Sequence, residues 1–375
     1  MNIANVGGSN SVLQSSYTRI IPQKFGINIE NRGVGATNSI YGLINIIKYD
    51  LISRNDILIF EYFINDNNHY FQGINDVNRV QKTLIQIIDM CIKCNTKLLF
   101  ILIYNRCHLL QNKYEASPMF LKYKSIIDIY NVPYIDMHEK MLEAFGDDWH
   151  LHYSGDAHLS EAGHELLSDE IVKLLPRQKK GRKEISPRLP SLERAKDQNY
   201  EGFKSINVLS ICDFISPQQM KTITNSLVNL QYYTISESVE IEFDDETEIL
   251  AMEYICDTAS GYISVEGINH RPPSLIKKTI IQKQIIQKNA LKKEKFVLEK
   301  MKKMASLITF NSKTFQPCHV YRLTIIDSKA VTTELYDKER KTLERTNVNR
   351  GKTNFKLVSL LVTNGAVITR FEAKA

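Results

Sequence analysis

The chain has 375 residues, of which 43% are hydrophobic and 24% charged, a composition typical of globular proteins and not of disordered ones. The formal net charge of +6 is modest, so the location of the charges matters more than their sum. No apolar run reaches the roughly 18 residues of a membrane span, and the first residues lack the order of a signal peptide. We therefore expect a cytoplasmic protein that is long enough to form two domains.

The cysteines favour neither a disulfide framework nor a zinc site. Six in a chain of this size are too few for a disulfide scaffold, and Cys91-x-x-Cys94 has no second pair to complete a zinc site. We expect reduced cysteines, mostly in the core.

Residues 1–178 alternate short apolar runs with longer amphipathic stretches, which is typical of βαβ units. This pattern predicts a flavodoxin-like α/β domain, with a parallel sheet and helices on both faces. The predicted strands are NIANV, FGINIENRG, NDILIFEYF, KLLFILIY and VPYIDM. The predicted helices are TNSIYGLINIIKYDLI, INDVNRVQKTLIQIIDMCIKC, SPMFLKYKSIIDIY and SEAGHELLSDEIVKLL.

The composition changes after this first domain. Residues 179–199 are basic and contain prolines, which indicates a linker. Residues 200–375 consist mainly of Val-, Ile-, Thr- and Tyr-rich segments separated by turn residues, which predicts an antiparallel, β-rich, sandwich-like domain.

One inserted segment, residues 275–304, departs from the strand pattern. It is rich in lysine, has only Glu294 and Glu299 as acids, and is predicted to form a basic helix. Such a helix is either a solvated face or a docking surface for an acidic partner. An anionic polysaccharide, peripheral association with a membrane surface, and nucleic acid all satisfy the charge, but no nucleic-acid motif accompanies the lysines.

The segment Gly7-Gly8-Ser9-Asn10-Ser11 follows the first predicted strand directly. Taken alone, this segment favours a simple turn, and the position of a nucleophile is the alternative interpretation. A serine here lies at the carboxyl edge of the sheet, where open α/β folds bind ligands. Its backbone N–H, at the start of a helix, is placed to donate to an oxyanion.

Four later residues are predicted at the same edge and strengthen the second interpretation. Gly35 follows strand two and lets its backbone N–H approach a substrate closely. Asn65 ends strand three and offers a side-chain amide as an oxyanion donor. Asp156 and His158 lie two residues apart on the loop before the last helix, and provide a carboxylate and an imidazole.

With Ser, Gly, Asn and His in this order, residues 1–178 resemble the SGNH hydrolases of the GDSL esterase and lipase superfamily. Gly7-Gly8-Ser9 matches the first motif block, Gly35 the second, Asn65-Asp66 the third, and Asp156 with His158 the last. There are departures from the common pattern. Gly8 replaces an aspartate and Phe63 replaces a glycine, a change expected to narrow the site or redirect the strand end.

The spacing of Asp156 and His158 is one residue shorter than usual and resembles the carbohydrate acetylesterase and polysaccharide O-acetyltransferase branches. The resemblance implies that Ser9 attacks an ester, that His158 takes its proton, and that Asp156 orients the imidazole. Ser9, Gly35 and Asn65 would form the oxyanion hole. This chemistry requires no metal and no cofactor.

Other residues compete for these roles. Ser11 is a second candidate nucleophile, although it would point toward its own helix. His138, His150, His152, His158 and His164 are close together in the sequence, but their spacing is not that of a metal site. We interpret His164 as a packing or helix-surface residue. His69 and Tyr70 either line the pocket or belong to a plain loop.

Three functions are compatible with the sequence. The first is a serine esterase that removes acyl groups, most simply O-acetyl, from a glycan. The second is an O-acyltransferase that uses the same residues and an acyl donor, and the third is a non-catalytic glycan-binding or assembly protein. By analogy with appended β-sandwiches, the second domain is expected to bind a saccharide. Tyr254, Tyr262 and Tyr321 are candidates for stacking on sugar rings, although alternating tyrosines in strands are more often core residues.

Overall fold

A computed structural model describes most of the chain. The described residues are 1–35, 37–71, 76–175, 202–203, 205–224, 229–256, 262–268, 281–286, 304–309, 318–326 and 355–374. The predicted linker at 179–199 lies outside them. The chain divides into two compact units, Met1–Phe203 and Lys204–Ala375.

The first unit contains a five-stranded, all-parallel sheet in the order β2-β1-β3-β4-β5. The strands are β1 Ile3–Gly7, β2 Ile29–Asn31, β3 Ile57–Glu61, β4 Lys97–Leu102 and β5 Tyr134–Asp136. The helices are α1 Tyr17–Phe25, α2 Ser39–Lys48, α3 Phe63–Phe71, α4 Val77–Cys94, α5 Arg106–Leu110, α6 Pro118–Tyr130, α7 Met137–Phe145 and α8 Glu161–Leu174. The predicted parallel α/β fold is confirmed.

Both faces of this sheet are covered by helices. Along β3, Ile57 and Ile59 join a core with residues of α1, α7 and α8. Phe60, which points to the opposite face, packs its ring 5.2 Å from that of Phe100, which in turn lies 6.2 Å from Tyr123 of α6. Alternate residues of a strand point to opposite faces, so burial on both sides explains the uninterrupted apolar strands of the sequence.

Local sequence signals define several helix ends. Asp76 accepts hydrogen bonds from the first backbone N–H groups of α4, and Ser117 caps α6 just before Pro118. At their carboxyl ends these helices stop at Asn95 and Asn131, both in the left-handed conformation that asparagine tolerates.

The second unit consists of two antiparallel sheets that enclose one core. One sheet has the order β13-β10-β15-β8-β7, with β6 also paired to β15, and the other has the order β12-β11-β14-β9-β16. The strands are β6 Ile206–Ser210, β7 Met220–Thr224, β8 Asn229–Ile235, β9 Ser238–Thr247, β10 Ile249–Cys256, β11 Tyr262–Ile268, β12 Ile281–Ile286, β13 Met304–Thr309, β14 Cys318–Ile326, β15 Phe355–Thr363 and β16 Ile368–Lys374. The predicted β-rich sandwich is confirmed.

One expectation for this unit is wrong, and two of the tyrosines take the core position that was the alternative to sugar stacking. Residues Ile281–Ile286, inside the predicted basic helix, form strand β12 and pair with β11, because β-branched isoleucines favour a strand where a partner strand is available. The remainder of 275–304, apart from Met304 at the start of β13, lies outside the described residues. Tyr254 and Tyr321 are buried, 3% and 0% exposed, and belong to the core between the sheets, so neither can stack on a sugar.

Within the described residues, no helix is long and apolar enough to cross a membrane.

Candidate active site

Ser9 stands at the carboxyl edge of the parallel sheet, two residues after β1 ends at Gly7. It begins a single 3-10 turn, Ser9–Ser11. The turn is attached to the neighbouring strand, because the backbone N–H of Gly8 donates to the carbonyl of Glu61 over 3.0 Å. Ser9 therefore occupies the position at which this type of sheet presents groups to a ligand.

His158 lies directly beside Ser9, with 2.8 Å between its Nε2 and the serine Oγ. The turn that carries it is closed by a bridge between Tyr153 and Leu159 and by a 2.9 Å bond from Ser154 N to the His158 carbonyl. Gly155 has φ +129°, a backbone conformation that residues other than glycine rarely adopt. The turn thus presents the imidazole to the serine at hydrogen-bond distance.

Gly35 and Asn65 both reach the turn that carries Ser9. A Cβ added to Gly35 would lie 3.6 Å from the Cβ of Ser9, and one added to Gly8 would overlap the Asn65 side chain. The structure therefore brings together four of the five residues singled out from the sequence. They come from the segments that follow β1, β2 and β3 and from the loop before α8.

The structure corrects the local setting of Asn65. It lies in the first turn of α3 and not at the end of strand three, since β3 ends at Glu61. His69 and Tyr70, considered as a loop, also belong to this helix. The Asn- and Asp-rich segment favours a turn locally. Burial of Phe63 among the rings of Tyr104, Tyr114, Phe120 and Tyr123 overrides that preference.

Asp66, the residue after Asn65, connects three helices. Its buried carboxylate accepts a 2.6 Å bond from the Tyr123 hydroxyl and a 3.1 Å bond from the backbone N–H of Ser39. These contacts fix the start of α3 against α6 and α2. They also hold Asn65 in place beside the nucleophile turn.

Asp156 is half exposed, and its Oδ1 accepts from two residues of α5. The Cys107 thiol donates over 3.0 Å and the Arg106 guanidinium over 3.1 Å, while the backbone N–H of Arg106 donates to the Asp156 carbonyl over 2.7 Å. These two side-chain contacts hold the pKa of Asp156 below its ordinary value. Sequence reasoning missed Arg106 and Cys107 because no motif marks them.

Glu61 is a second residue that sequence reasoning missed. This fully buried carboxyl at the end of β3 accepts a 3.1 Å bond from the backbone N–H of Gly8 through Oε2. Its Oε1 has no hydrogen-bond partner among the described residues. Burial raises the pKa of Glu61 to about 8. The sequence feature that marks it is the single acidic residue at the end of the otherwise apolar strand ILIFE.

The competing candidates take structural roles. Ser11 is fully buried, and its hydroxyl donates to the Gly8 carbonyl over 2.7 Å. His164 is buried beside Tyr17, and burial lowers its pKa to about 4. Among the described residues, no group of three or more His, Cys, Asp or Glu side chains could hold a metal ion.

No protein family model and no curated protein matches the chain. Solved structures do match. A two-domain esterase active on acetylated mannans, co-crystallized with mannopentaose, aligns over 97% of this chain and 90% of its own, with a TM-score of 0.52 and 14% identity. An acetyl xylan esterase and a G-D-S-L lipolytic protein from Veillonella parvula each align over 46% of this chain, with TM-scores of 0.40 and 0.37 and identities of 16% and 18%.

These similarities concern the fold, because every identity is below one fifth. The alignment with the two-domain esterase covers both units, so the order of an α/β unit followed by a β-rich unit is shared. The fold expected from the resemblance to SGNH hydrolases is confirmed. A fold carries many activities, so the chemistry must be argued from the site.

Proposed function

We propose that the protein is a serine esterase of the SGNH type, which removes acyl groups, most simply O-acetyl, from a glycan. The observation that carries this proposal is the 2.8 Å contact between Ser9 Oγ and His158 Nε2 at the carboxyl edge of the sheet. A serine hydroxyl is a weak nucleophile until a base within hydrogen-bond reach accepts its proton. His158 is such a base.

In the acylation step, Ser9 Oγ attacks the ester carbonyl carbon while its proton passes to His158 Nε2. The carbonyl oxygen becomes an oxyanion. Backbone N–H groups of Ser9 and Gly35 and the side-chain amide of Asn65 are the proposed donors, each worth about 3 kcal/mol in comparable sites. Collapse of this intermediate breaks the bond to the sugar oxygen, which takes the proton from His158, and leaves acyl-Ser9.

In the deacylation step, water attacks acyl-Ser9 and gives one proton to His158. A second tetrahedral intermediate collapses, the carboxylic acid leaves, and the proton returns to Ser9. Asp156 is proposed to orient the imidazole and stabilise its charge. Its carboxylate is held in the ionised form that this role needs by Arg106 and Cys107.

An acetylated glycan is the substrate class that best suits the two-unit architecture. A solved structure that aligns over both units is that of an esterase active on acetylated mannans. The second unit is β-rich and contains none of the candidate site residues, so it is proposed to recognise the saccharide and add no catalytic group.

The test compares two serines of the same turn. Ser9→Ala should abolish hydrolysis of p-nitrophenyl acetate, release of acetate from acetylated mannan, and labelling by a serine-directed phosphonate. Ser11→Ala is the matched control and should keep labelling, because Ser11 is buried and donates to Gly8. Labelling that persists in Ser9→Ala and disappears in Ser11→Ala would reverse the assignment.

Mass spectrometry separates hydrolysis from transfer. Wild-type protein incubated with an activated acetyl ester should show an acetyl adduct on Ser9 that decays to free acetate. If the adduct is stable in water and decays only when an oligosaccharide acceptor is added, with acetyl appearing on the acceptor, the protein is an O-acyltransferase with the same acylation step.

A further inference from the structure

Asn10 joins the segment that carries Ser9 to the segment that carries His158. Its fully buried side chain donates from Nδ2 to the carbonyl of Ala157 over 2.9 Å. Its Oδ1 accepts from the backbone N–H of Leu159 over 3.0 Å. One amide therefore bonds to the residues on both sides of His158.

These two bonds span 147 and 149 positions of sequence. Other bonds of the histidine turn are local, such as the bridge between Tyr153 and Leu159, or join it to α5 through Asp156. Neither kind reaches the segment that follows β1. The Asn10 amide does, because Asn10 follows Ser9 in the same 3-10 turn.

The chemistry of the side chain matches this role closely. The main chain around His158 offers one acceptor, the Ala157 carbonyl, and one donor, the Leu159 N–H. A carboxamide pairs with both at once, because its donor and its acceptor are separate atoms on one rigid group. Aspartate keeps the acceptor and loses the donor. An apolar residue leaves both main-chain groups without these bonds, which is costly for the buried N–H of Leu159.

We propose that Asn10 is a positioning residue, which holds His158 Nε2 at hydrogen-bond distance from Ser9 Oγ. This inference rests on the proposed roles of Ser9 and His158. Asn10 touches no reacting atom in this scheme and acts through the position of the imidazole. A displacement of the base by about 1 Å is enough to cost about 10²-fold in rate.

The test is a double-mutant cycle on p-nitrophenyl acetate. Asn10→Ala should lower kcat about 10²-fold with little change in KM. In a His158→Ala background the same substitution should change the residual rate less than about twofold, because the group through which Asn10 acts is gone. Equal losses in both backgrounds would overturn the positioning role.

Asn5→Ala is the matched control. Asn5 is also fully buried and also makes one donated bond, to Asn31 over 2.8 Å, and one accepted bond, from Tyr17 over 2.7 Å. Both variants should show lower thermal unfolding temperatures, but only Asn10→Ala should show the large loss of kcat. Equal kcat losses in the two variants would assign Asn10 a purely structural role.

Two further variants keep the outcomes distinct. If Asn10→Ala does not fold, Asn10→Asp is measured in its place, since it keeps the bond from Leu159 and loses the bond to Ala157. Its kcat should also fall, and a wild-type kcat in a folded Asn10→Asp variant would contradict the proposal.

If Ser9→Ala retains full activity, the proposed function itself fails. If Ser9→Ala is inactive and Asn10→Ala is fully active, only the role of Asn10 fails.

Discussion

The side chain of Asn65 fills the space that a Cβ at position 8 would need. An added Cβ on Gly8 would overlap Oδ1 of Asn65 and lie 3.0 Å from its Nδ2. This contact gives a physical reason for a glycine at position 8. The absence of a side chain at Gly8 lets the Asn65 amide approach the nucleophile turn.

Gly8→Ala is therefore expected to displace the Asn65 amide and leave the fold intact, because the obstructing atoms are the end of a side chain. We expect kcat on p-nitrophenyl acetate to fall about 10²- to 10³-fold, as when an oxyanion donor is removed. Asn65→Ala should lose a similar factor, and the double variant little more. If the loss of kcat in the double variant equals the product of the two single losses, Gly8 and Asn65 act independently.

The proposed roles of His158 and Asp156 predict that their substitution lowers the rate of hydrolysis to different extents. His158→Ala should lose about as much rate as Ser9→Ala, and the double variant little more, because the two residues act as one unit. Asp156→Asn should lose less, since its carboxylate is half exposed and bonded to Arg106 and Cys107. The rates are measured on p-nitrophenyl acetate. If the fold loss in the double variant equals the product of the two single losses, Ser9 and His158 do not share a proton transfer.

The sequence predicted the five parallel strands and the long helices because their apolar periodicity is strong. It missed α1, α5 and α7 and placed Asn65 on a strand end, because helices of nine residues or fewer span too few turns to carry a strong periodic signal. The candidate site was recognisable from motif residues in the expected order. Glu61, Arg106 and Asn10 were not, since each acts through contacts with segments distant in the sequence.

The buried carboxyl of Glu61 predicts a stability that falls as pH rises. Its pKa in the folded protein is about 8, against an ordinary 4.5. Below pH 4.5 both folded and unfolded chains hold the proton. Between these values only the unfolded chain loses it, so stability decreases with pH and levels off above about 8, a loss on the order of 5 kcal/mol.

Glu61→Gln should remove this dependence, because an amide does not ionise and its oxygen still accepts the bond from Gly8 N. Urea unfolding of wild type and variant at pH 5 and pH 8 tests the prediction. The variant should gain stability relative to wild type between the two pH values. A constant difference would show that Glu61 does not stay protonated in the folded protein.

The second unit is expected to set the preference for a polymeric ester. Ser9, Gly35, Asn65, Asp156 and His158 all lie within Met1–Phe203, so a chain of residues 1–203 should hydrolyse p-nitrophenyl acetate within about threefold of the full-length rate. Its kcat/KM on acetylated mannan should fall at least about tenfold, equivalent to about 1.4 kcal/mol of lost binding.

Adding residues 204–375 as a separate chain should not restore the kcat/KM on the polymer, because the gain comes from tethering the two units. If residues 1–203 retain full activity on the polymer, the second unit has a structural or oligomerisation role, since neither chemistry nor recognition would depend on it.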